Sequence, residues 1–371
     1  KTAYEIPKRD WSSDVCSSDL VSPRSEIIQN SARPLELRPS QRPPWLFHMD
    51  TLIELFGHLQ QTVFERLIQP ALFALGMGNL LEEAYSATGW FLLGVMQLAI
   101  MATVLRALEH WRPVERVTDR QAVRVDIVYS LIHHLGLFRL AMFFSLGALM
   151  DQVLYALRLQ GWTLWQLDAV WPGVTDLPWV SFLLYLVLFD LVDYAIHRGQ
   201  HAWRLWWPLH ALHHSQRQMT LWSDSRNHLV DDVIRSAILA VVGLLVGIAP
   251  AQFVAVVVCT QLVESLSHAN LRLSFGPVLG RVLVSPQYHR LHHRIGVGHE
   301  SQGEGSLGGH NFAVLFPWWD DLFGTALRDE RYEPTGIRDQ LAVSADQPGR
   351  DYGRGFWDQQ RLGLLRWVGR A

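Results

Sequence analysis

Four long apolar runs limit the folds that this chain can adopt. Each is long enough to form a membrane-spanning helix or a hairpin of two helices, and tryptophans stand at many of the boundaries. The runs cover residues 90–108, 127–150, 179–196 and 237–266. With 49% hydrophobic and only 18% charged residues, the composition also favours a membrane protein over a soluble enzyme. We therefore predict an all-α, integral membrane helical bundle; the alternative is four buried helices in a large soluble core.

The distribution of arginine predicts the orientation of these runs. The loop between the first two runs carries Arg106, Arg112, Arg116, Arg120 and Arg124, whereas residues 151–178 carry only Arg158. By the positive-inside rule, the arginine-rich loop is cytoplasmic. The third run then emerges into the cytoplasm at residue 197. Residues 247–250, Gly-Ile-Ala-Pro, would turn the fourth run back as a shallow helical hairpin, so that the chain returns to the same side.

The first 48 residues differ in character from the rest. Residues 9–20 resemble the translation of a sequencing adapter, and the two lysines of the chain, Lys1 and Lys8, both precede that stretch. Residues 21–48 are rich in Pro, Arg and Ser, which is typical of disorder. We expect residues 1–48 to be an artefactual or disordered leader, with Met49 as the natural start; the alternative is a genuine disordered N-terminus.

Charge and cysteine content exclude two classes. A net charge of −3 offers no basic field for nucleic acid, so we expect no nucleic-acid partner. Two cysteines, one of them in the leader, cannot build a disulfide framework. Because the chain after Met49 uses Arg and no Lys, its source is expected to be a GC-rich bacterium, which would place the protein in an inner membrane.

Histidine is concentrated in one part of the chain, since twelve of the 17 lie between residues 197 and 310. Three clusters have helical spacing, so each can direct its imidazoles from one face of a helix towards one point. They are His197 and His201; His210, His213 and His214; and His289, His292 and His293. Imidazole suits Fe, Zn, Cu or Ni. Eight imidazoles are too many for one tetrahedral ion but fit two, so the spacing predicts a dimetal site without naming the metal.

The other histidines have weaker signals. His58, His110 and His299 lie in polar stretches and are expected to be solvated. His133 and His134 lie in an apolar run, where they are either buried and hydrogen-bonded or bind a haem. The sequence gives no role to His228.

Residues 190–325 resemble the fatty acid hydroxylase/sterol desaturase superfamily of integral membrane non-haem di-iron oxygenases. The resemblance rests on the histidine clusters, which match the HxxxH, HxxHH and HxxHH boxes of that family, and on four surrounding motifs. The motifs are DLVDYAIHRGQH, LWWPLHALHHS, SPQYHRLHH and the closing WWDDLFGT. A further match is His268, in SHANL, which lies before the third box.

The resemblance implies nine iron ligands. They are His197, His201, His210, His213, His214, His268, His289, His292 and His293. It also departs from the family pattern at two positions. His310 replaces an Asp in the GHNFA stretch before the closing motif, which would make it a substitute acceptor or an extra ligand. Arg272 stands where some lipid hydroxylases of the superfamily have a second histidine after the one matching His268.

The implied activity is an O2-dependent hydroxylation or desaturation of a membrane-lipid C–H bond by two non-haem irons, at a site facing the cytoplasm. The implied partners are a lipid from the bilayer and a separate electron donor: a ferredoxin, a cytochrome b5-like protein or a reductase. Oligomeric state and lipid class are left open. Ligating imidazoles usually donate their second N–H to a carboxylate or carbonyl. The supporting candidates are Asp190, Asp193, Asn311 and His310, with Asp224, Asp231 and Glu264 also near in sequence.

Two alternatives compete with this interpretation. A zinc-dependent membrane hydrolase would need a general-base Glu beside its ligands, as in HExxH, and the one His-Glu pair, His299-Glu300, lacks the second histidine. A non-enzymatic metal or haem-binding membrane protein would use His133 and His134. The predicted organisation is N-terminal membrane helices at 49–178, a fatty acid hydroxylase-like catalytic domain at 179–327 and a cytoplasmic tail at 328–371.

Overall fold

A computed structural model describes residues 44–142, 148–162, 165–296, 308–342, 344 and 348–370. The chain divides into two compact units, Lys1–Met49 and Asp50–Ala371, and the features below belong to the second, except that the first helix begins at Pro44. Apart from residues 44–48, which begin the first helix, the predicted leader lies outside the described residues. Within the described residues the secondary structure is helical and contains no named strand, which confirms the predicted all-α class.

Fifteen α-helices, joined in places by short 3-10 or π turns, make up this part of the chain. They are α1 Pro44–Val63, α2 Gln69–Ala74, α3 Leu81–Ile100, α4 Arg106–Trp111, α5 Arg120–His134, α6 Leu137–Met142, α7 Ala148–Leu159, α8 Pro178–Ala202, α9 Trp207–His214, α10 Leu229–Val246, α11 Pro250–His268, α12 Gly276–Leu279, α13 Pro286–His292, α14 Trp318–Phe323 and α15 Phe356–Trp367.

Three helical stretches are long and apolar enough to cross a membrane: Gly78–Trp111, Pro178–Ala202 and Pro250–His268. Their 34, 25 and 19 residues correspond to about 51, 37 and 28 Å of helix, against a hydrocarbon core of about 30 Å. On α3, apolar side chains such as Phe91 and Met96 are exposed, as a lipid-facing surface requires. The first and third predicted runs are therefore confirmed as candidate spans.

The second predicted run, residues 127–150, does not form one continuous helix. Helix α5 ends at His134, and α6 begins again at Leu137. Gly136 between them adopts a φ of +76°, a left-handed conformation that ends the helix and that glycine tolerates. The prediction of a single span is wrong here; residues 143–147 lie outside the described residues.

The fourth run forms the predicted helical hairpin. Helix α10 ends at Gly247, whose φ of +69° provides a left-handed C-cap, and Pro250 opens α11 in the first turn, where its missing N–H is not needed. Helix α11 is longer than a shallow hairpin requires, since its 19 residues can cross a bilayer. Helix α10 carries two acidic residues and one arginine in its first half, so only its second half is uniformly apolar.

Helix α8 lies at the centre of the apolar core. Of the apolar window in α8, 44% of residues are buried, against 22% in each of the other two candidate spans. Its side chains Tyr185 and Phe189 belong to one buried cluster with Leu239 of α10 and Val256 of α11. The side chains of His197 and His201, on the last turns of α8, are consequently buried.

The tail after residue 328 packs onto the helices that carry the histidine clusters. Ile337 and Tyr352 are 1% and 4% exposed and form a cluster with Trp207 and Ala211 of α9. The backbone N–H of Gly336 donates to the carbonyl of a cluster histidine, 3.1 Å away. Apolar side chains of the predicted cytoplasmic tail thus cover α9.

Candidate metal centre

Four helices deliver the nine predicted ligands to one buried place. Helix α8 carries His197 and His201 one turn apart, and α11 ends at His268. Two short helices supply the rest: α9 carries His210, His213 and His214, while α13 carries His289 and His292 and is capped by His293. All nine imidazoles are buried.

Local sequence explains why the two HxxHH clusters are helical. Both α9 and α13 begin with a proline in the first turn, Pro208 and Pro286, which fixes φ at a helical value where no N–H partner is needed. Ser285 caps α13 by accepting a hydrogen bond from the Tyr288 N–H at 3.2 Å. Short helices with fixed starts place i, i+3 and i+4 imidazoles on one side.

The nitrogens form two groups of four, each compact enough to hold a metal ion. The first group contains His197, His201, His210 and His214; the second contains His213, His268, His289 and His293. Within each group the potential ligand atoms lie within 4.8 Å of one another. A third combination, His214, His292 and His293, connects the two groups.

The second group has the spacing of a metal site. The Nε2 atoms of His268 and His213 are 3.2 Å apart, those of His289 and His268 3.0 Å, and those of His293 and His289 3.1 Å. Nitrogens about 2.05 Å from one ion would be separated by about 3.3 Å in a tetrahedron and about 2.9 Å at a right angle. The three observed separations fall between these values, so the residues fit a single ion.

A histidine binds a metal ion in its neutral form, and the buried environment of this site favours that form. Burial, reinforced by neighbouring imidazoles, holds the pKa values of His213, His289 and His293 well below the ordinary histidine value. These side chains therefore keep a free lone pair at neutral pH, which a cation can accept.

In the first group, Asp231 orients His210. The Nδ1 atom of His210 lies 3.2 Å from Oδ2 of Asp231, while the other carboxylate oxygen accepts hydrogen bonds from Gln200 Nε2 at 2.8 Å and Trp206 Nε1 at 2.6 Å. Because Nδ1–H donates to a carboxylate, Nε2 is left as the lone-pair nitrogen. That Nε2 atom is buried and has no hydrogen-bond partner among the described residues, so it too fits a metal ligand.

Backbone carbonyls orient three other ligands in the same way. His197 Nδ1 donates to the Phe312 carbonyl at 2.8 Å, and His292 Nδ1 donates to the His310 carbonyl at 2.6 Å. His268 Nδ1 donates to the carbonyl of Glu264 at 2.8 Å. His310 therefore acts through its backbone oxygen in this structure, a support that its side-chain chemistry does not predict.

Asn311 holds the segment that supplies two of these carbonyls. Its side-chain amide donates to the carbonyls of Tyr288 and Leu327 at 3.0 and 2.9 Å, and its oxygen accepts from the Leu327 N–H at 2.6 Å. Its φ of +60° places it in the left-handed region, where Asn is favoured among non-glycine residues. Asn311, one of the predicted supporting residues, thus fixes the backbone on either side of itself.

Asp320, in the closing WWDDLFGT motif, completes this support. Its carboxylate accepts hydrogen bonds from the N–H groups of Phe312 and Ala313 at 2.8 and 3.0 Å, and from the hydroxyls of Thr325 and Tyr288. Burial raises the pKa of this carboxyl, while these donors lower it. The motif was recognised in the sequence, but this role of Asp320 was not predicted.

The carboxylates of Asp190 and Asp193 bind groups other than the imidazoles that they were predicted to support. The carboxylate of Asp190 accepts from the N–H groups of Leu315 and Phe316 at 2.8 and 3.0 Å and from Trp319 Nε1 at 3.0 Å. Asp193 pairs with Arg235 at 2.9 Å. Both carboxylates are bound by donors that lie away from the ligand nitrogens, so Asp190 joins α8 to the closing segment and Asp193 joins α8 to α10.

Asp224 and Glu264 also differ from the sequence prediction. Asp224 accepts hydrogen bonds from Ser225 and from the Ser265 hydroxyl, which fixes a loop to α11. Glu264 supports His268 through its backbone carbonyl rather than its carboxylate. Of the acidic candidates, Asp231 is the one whose carboxylate contacts a ligand imidazole in the described structure.

A small polar cavity of about 110 Å³ borders both groups. Three of its walls carry charges from α8, α10 and α11, among them Asp193, Asp232, Arg235 and Glu264. At about 30 Å³ per water in the liquid, it has room for about four waters, whereas a lipid chain would not fit.

The remaining histidines have protein partners or lie elsewhere. His133 Nε2 is 3.3 Å from Oδ2 of Asp232, and His134 Nδ1 is 3.2 Å from the Gln97 side-chain oxygen. His228 caps α10 by accepting from the Val230 N–H through Nδ1, and its Nε2 donates to the Gln360 carbonyl at 2.9 Å. His58 and His110 are exposed. His299 and Glu300 lie outside the described residues.

Comparison with known families identifies the segment that contains these groups. Residues 182–325 match the family model described as fatty acid hydroxylase. This segment is therefore similar to the fatty acid hydroxylase family. The predicted resemblance is therefore confirmed, and the matched residues include all nine histidines together with the closing motif.

Individual relatives of the fatty acid hydroxylase segment agree. The chain is 28% identical over 169 residues to an ornithine lipid hydroxylase from Rhizobium tropici, covering 45% of this chain and 47% of the relative. It is 27% identical over 172 residues to an alkylglycerol monooxygenase from Caenorhabditis elegans, covering 44% and 32%. It is 28% identical over 146 residues to a delta(7)-sterol 5(6)-desaturase from Gibberella zeae, covering 39% and 41%. The chain thus spans about half or less of these curated relatives, and no solved structure matches it.

Proposed function

We propose that this protein is an O2-dependent enzyme that hydroxylates or desaturates a C–H bond of a membrane lipid, with two non-haem irons held by the two histidine groups. The observation that carries the proposal is the convergence of nine buried imidazoles, eight of them in two groups of metal-site size, beside the ends of two helices that can cross a membrane. The three relatives are named as an ornithine lipid hydroxylase, an alkylglycerol monooxygenase and a sterol desaturase, which supports the same class of reaction.

The chain would hold one iron with the first group and one with the second, with His292 beside both. When bound, such irons supply O2 activation for attack on an unactivated C–H bond. Asp231 and the carbonyls of residues 310 and 312 keep Nε2 of His210, His292 and His197 available to a metal. Burial of the nine side chains limits access of bulk water, which protects a reactive site from side reactions.

Hydroxylation consumes one O2, two electrons and two protons for each alcohol and water formed. We assign the passage of protons and water to the polar cavity, whose volume of about 110 Å³ and charged walls suit small polar species. The lipid chain must then approach the metal ligands from another side. The exposed apolar faces of the spanning helices are consistent with lateral entry from the bilayer.

The electrons would come from a separate protein: a ferredoxin, a cytochrome b5-like protein or a reductase. We further propose that the site faces the cytoplasm of a bacterium, at its inner membrane. Two of the candidate spans end at Trp111 and at His268. The chain segments that follow these two ends are in contact, because the Arg272 N–H donates to the Arg112 carbonyl at 2.8 Å. The metal ligands therefore share a membrane face with the arginine-rich loop, which the positive-inside rule places in the cytoplasm.

Metal analysis of the detergent-purified chain tests the metal assignment. We expect about two irons per chain after anaerobic purification with iron supplied, and no Soret band in the visible spectrum. Zinc alone under these conditions would instead favour a zinc-dependent membrane hydrolase. A Soret band that disappears in His133→Ala and His134→Ala would favour a haem-binding protein.

Lipid analysis tests the reaction. Cells expressing the protein should contain a hydroxylated or desaturated lipid that is absent from cells expressing His213→Ala or His292→Ala. The control is His58→Ala, which removes an exposed imidazole distant in sequence from the histidine clusters. Unchanged lipid oxidation in both cluster variants would show that the histidine groups do not perform this chemistry.

A further inference from the structure

A second and larger cavity, of about 570 Å³, lies beside the end of α4 and the start of α5. Four arginines line it: Arg106, Arg116, Arg120 and Arg124. Apolar side chains, among them Val123 and Ile127, line it as well. We call this space the arginine cavity. Its lining is cationic and partly apolar, and so differs from that of the metal centre and from that of the polar cavity beside the metal centre.

The two acidic residues of the arginine cavity are already engaged. Glu109 is buried and accepts hydrogen bonds from the N–H groups of Leu221 and Asn270, each at 2.8 Å. Glu115 pairs with Arg290 at 2.6 Å. Little acidic capacity therefore remains to neutralise the arginines of the cavity.

Three of those arginines are free to bind an anion. Arg116, Arg120 and Arg124 are exposed, and none of their guanidinium groups has an ion pair or hydrogen bond within the described ranges. Arg106 lies 3.6 Å from Glu109, which the two backbone N–H groups already bind. Arg120 and Arg124 are one turn apart on α5, so their guanidinium groups can face the same ligand.

The walls are fixed by side chain to backbone hydrogen bonds. Asn270 accepts from the N–H groups of Val114 and Glu115 at 3.2 and 3.1 Å and donates to the Glu115 carbonyl at 2.8 Å. Gln218 accepts from the N–H groups of Thr118 and Asp119, each at 2.9 Å. The connection between α4 and α5 is therefore anchored on both sides, and the cavity does not depend on a freely moving loop.

The position of the arginine cavity indicates the class of ligand that it would bind. It lies at the end of the spanning stretch Gly78–Trp111, at the depth where lipid head groups are found. Guanidinium groups bind phosphate oxygens through paired hydrogen bonds, and the apolar wall can receive the first carbons of an acyl chain. A concave site of this size fits one head group, whereas a protein partner would require a broad surface.

We propose that the arginine cavity binds the phosphate of an anionic membrane phospholipid. The bound lipid phosphate would offset part of the positive charge of Arg116, Arg120 and Arg124 and hold the start of α5 at the membrane surface. The site is distinct from the histidine groups, so the proposal holds whatever reaction they catalyse.

Binding of defined lipids to the detergent-purified full chain tests the proposal. Native mass spectrometry with dioleoylphosphatidylglycerol and dioleoylphosphatidylcholine measures how many of each lipid remain bound. We expect preferential retention of phosphatidylglycerol, and about thirtyfold weaker binding of it by the Arg120→Ala, Arg124→Ala double variant, since each arginine near an anionic surface contributes about fivefold. A matched control, Arg361→Ala with Arg370→Ala, removes two charges from exposed arginines outside the cavity and should bind as the wild type does.

Three results would overturn the proposal. The first is equal retention of both lipids by the wild type, or an equal loss in the control variant. The second is binding of inorganic phosphate as tight as that of phosphatidylglycerol, which would assign the cavity to a soluble anion. The third is unchanged lipid binding in the double variant together with weaker, salt-dependent association with an acidic ferredoxin, which would make this a protein docking surface. Melting curves of all variants establish that they are folded.

Discussion

Replacing Asp231 by Asn would change one charge and almost no volume at the first histidine group. The carboxylate is 2% exposed, and its Oδ2 lies 3.2 Å from His210 Nδ1. An Asn side chain can keep its oxygen on the Gln200 and Trp206 donors, but its NH2 group then faces His210 Nδ1. His210 must therefore accept at Nδ1 and carry its proton on Nε2, the nitrogen that faces the proposed metal.

The size of the effect follows from that change of tautomer. Loss of a second-shell partner of a metal-bound histidine lowers metal affinity about 10- to 100-fold, or about 1.4 to 2.7 kcal/mol. Both of the stronger hydrogen bonds to Oδ1 are retained, so we expect the free energy of unfolding of the apoprotein to change by less than about 1.5 kcal/mol. Metal affinity should thus fall much more than stability does.

Anaerobic titration of the metal-free protein with Fe(II), in competition with a chelator of known affinity, measures both sites. The Asp231→Asn variant should lose affinity at one of the two sites and keep it at the other, because Asp231 contacts the first group alone. Asp232→Asn is the matched control: it changes the neighbouring carboxylate, which faces His133 rather than a metal group.

Two results would refute this reasoning. If the folded Asp231→Asn variant bound two irons with wild-type affinity, the carboxylate would not set the tautomer of His210. If Asp232→Asn lost as much affinity as Asp231→Asn, the effect would be one of general charge rather than of a specific hydrogen bond.

Three further predictions concern Asn311, the binding of iron and the contact between α3 and α5. Asn311→Ala removes three hydrogen bonds of a buried side chain, so we expect it to lower the free energy of unfolding by about 3 kcal/mol and to reduce the iron content per chain. A normal iron content together with a normal Tm would contradict the role given to Asn311. Iron added anaerobically at a hundredfold excess over Kd should stabilise the metal-free protein by about 2.7 kcal/mol per site, seen as a higher Tm; a Tm unaffected by saturating iron would count against the metal assignment. A methyl group on Gly94 would overlap the carbonyl of His134, so we expect Gly94→Ala to lower the free energy of unfolding by about 1 to 3 kcal/mol as α3 and α5 separate. The control is Gly57→Ala, which places its methyl group in open space and should not lower the Tm. Equal Tm values for the two variants would show that the contact between α3 and α5 is not tight.

The sequence predicted best those features that depend on local periodicity. Apolar runs identified α8 and the α10–α11 hairpin because burial in lipid or protein requires uninterrupted apolar faces. The HxxHH spacings identified α9 and α13 because i, i+3 and i+4 positions share a helix face. His268 has no such neighbour, so only the family resemblance pointed to it; its place beside His213 and His289 depends on how α11 packs.

Features that depend on tertiary contacts could not be predicted in this way. Several acidic residues lie near the boxes in sequence, and nothing in their spacing tells Asp231, which binds His210, from Asp190 and Asp193, which bind elsewhere. The carbonyls that orient His197 and His292 carry no side-chain signal at all. The break at Gly136 interrupts a run whose composition alone is compatible with one helix.

The closing segment has a consequence for the order of events during synthesis. All nine histidines precede residue 294, but the carbonyls that orient two of them belong to residues 310 and 312, and Asp320 fixes those carbonyls later still. A nascent chain that has just passed the third cluster thus has every ligand but lacks the carbonyls that set the tautomers of His197 and His292. We expect stable metal loading to wait until the ribosome has released this last stretch, so that a chain interrupted shortly before it would reach the membrane and remain without metal.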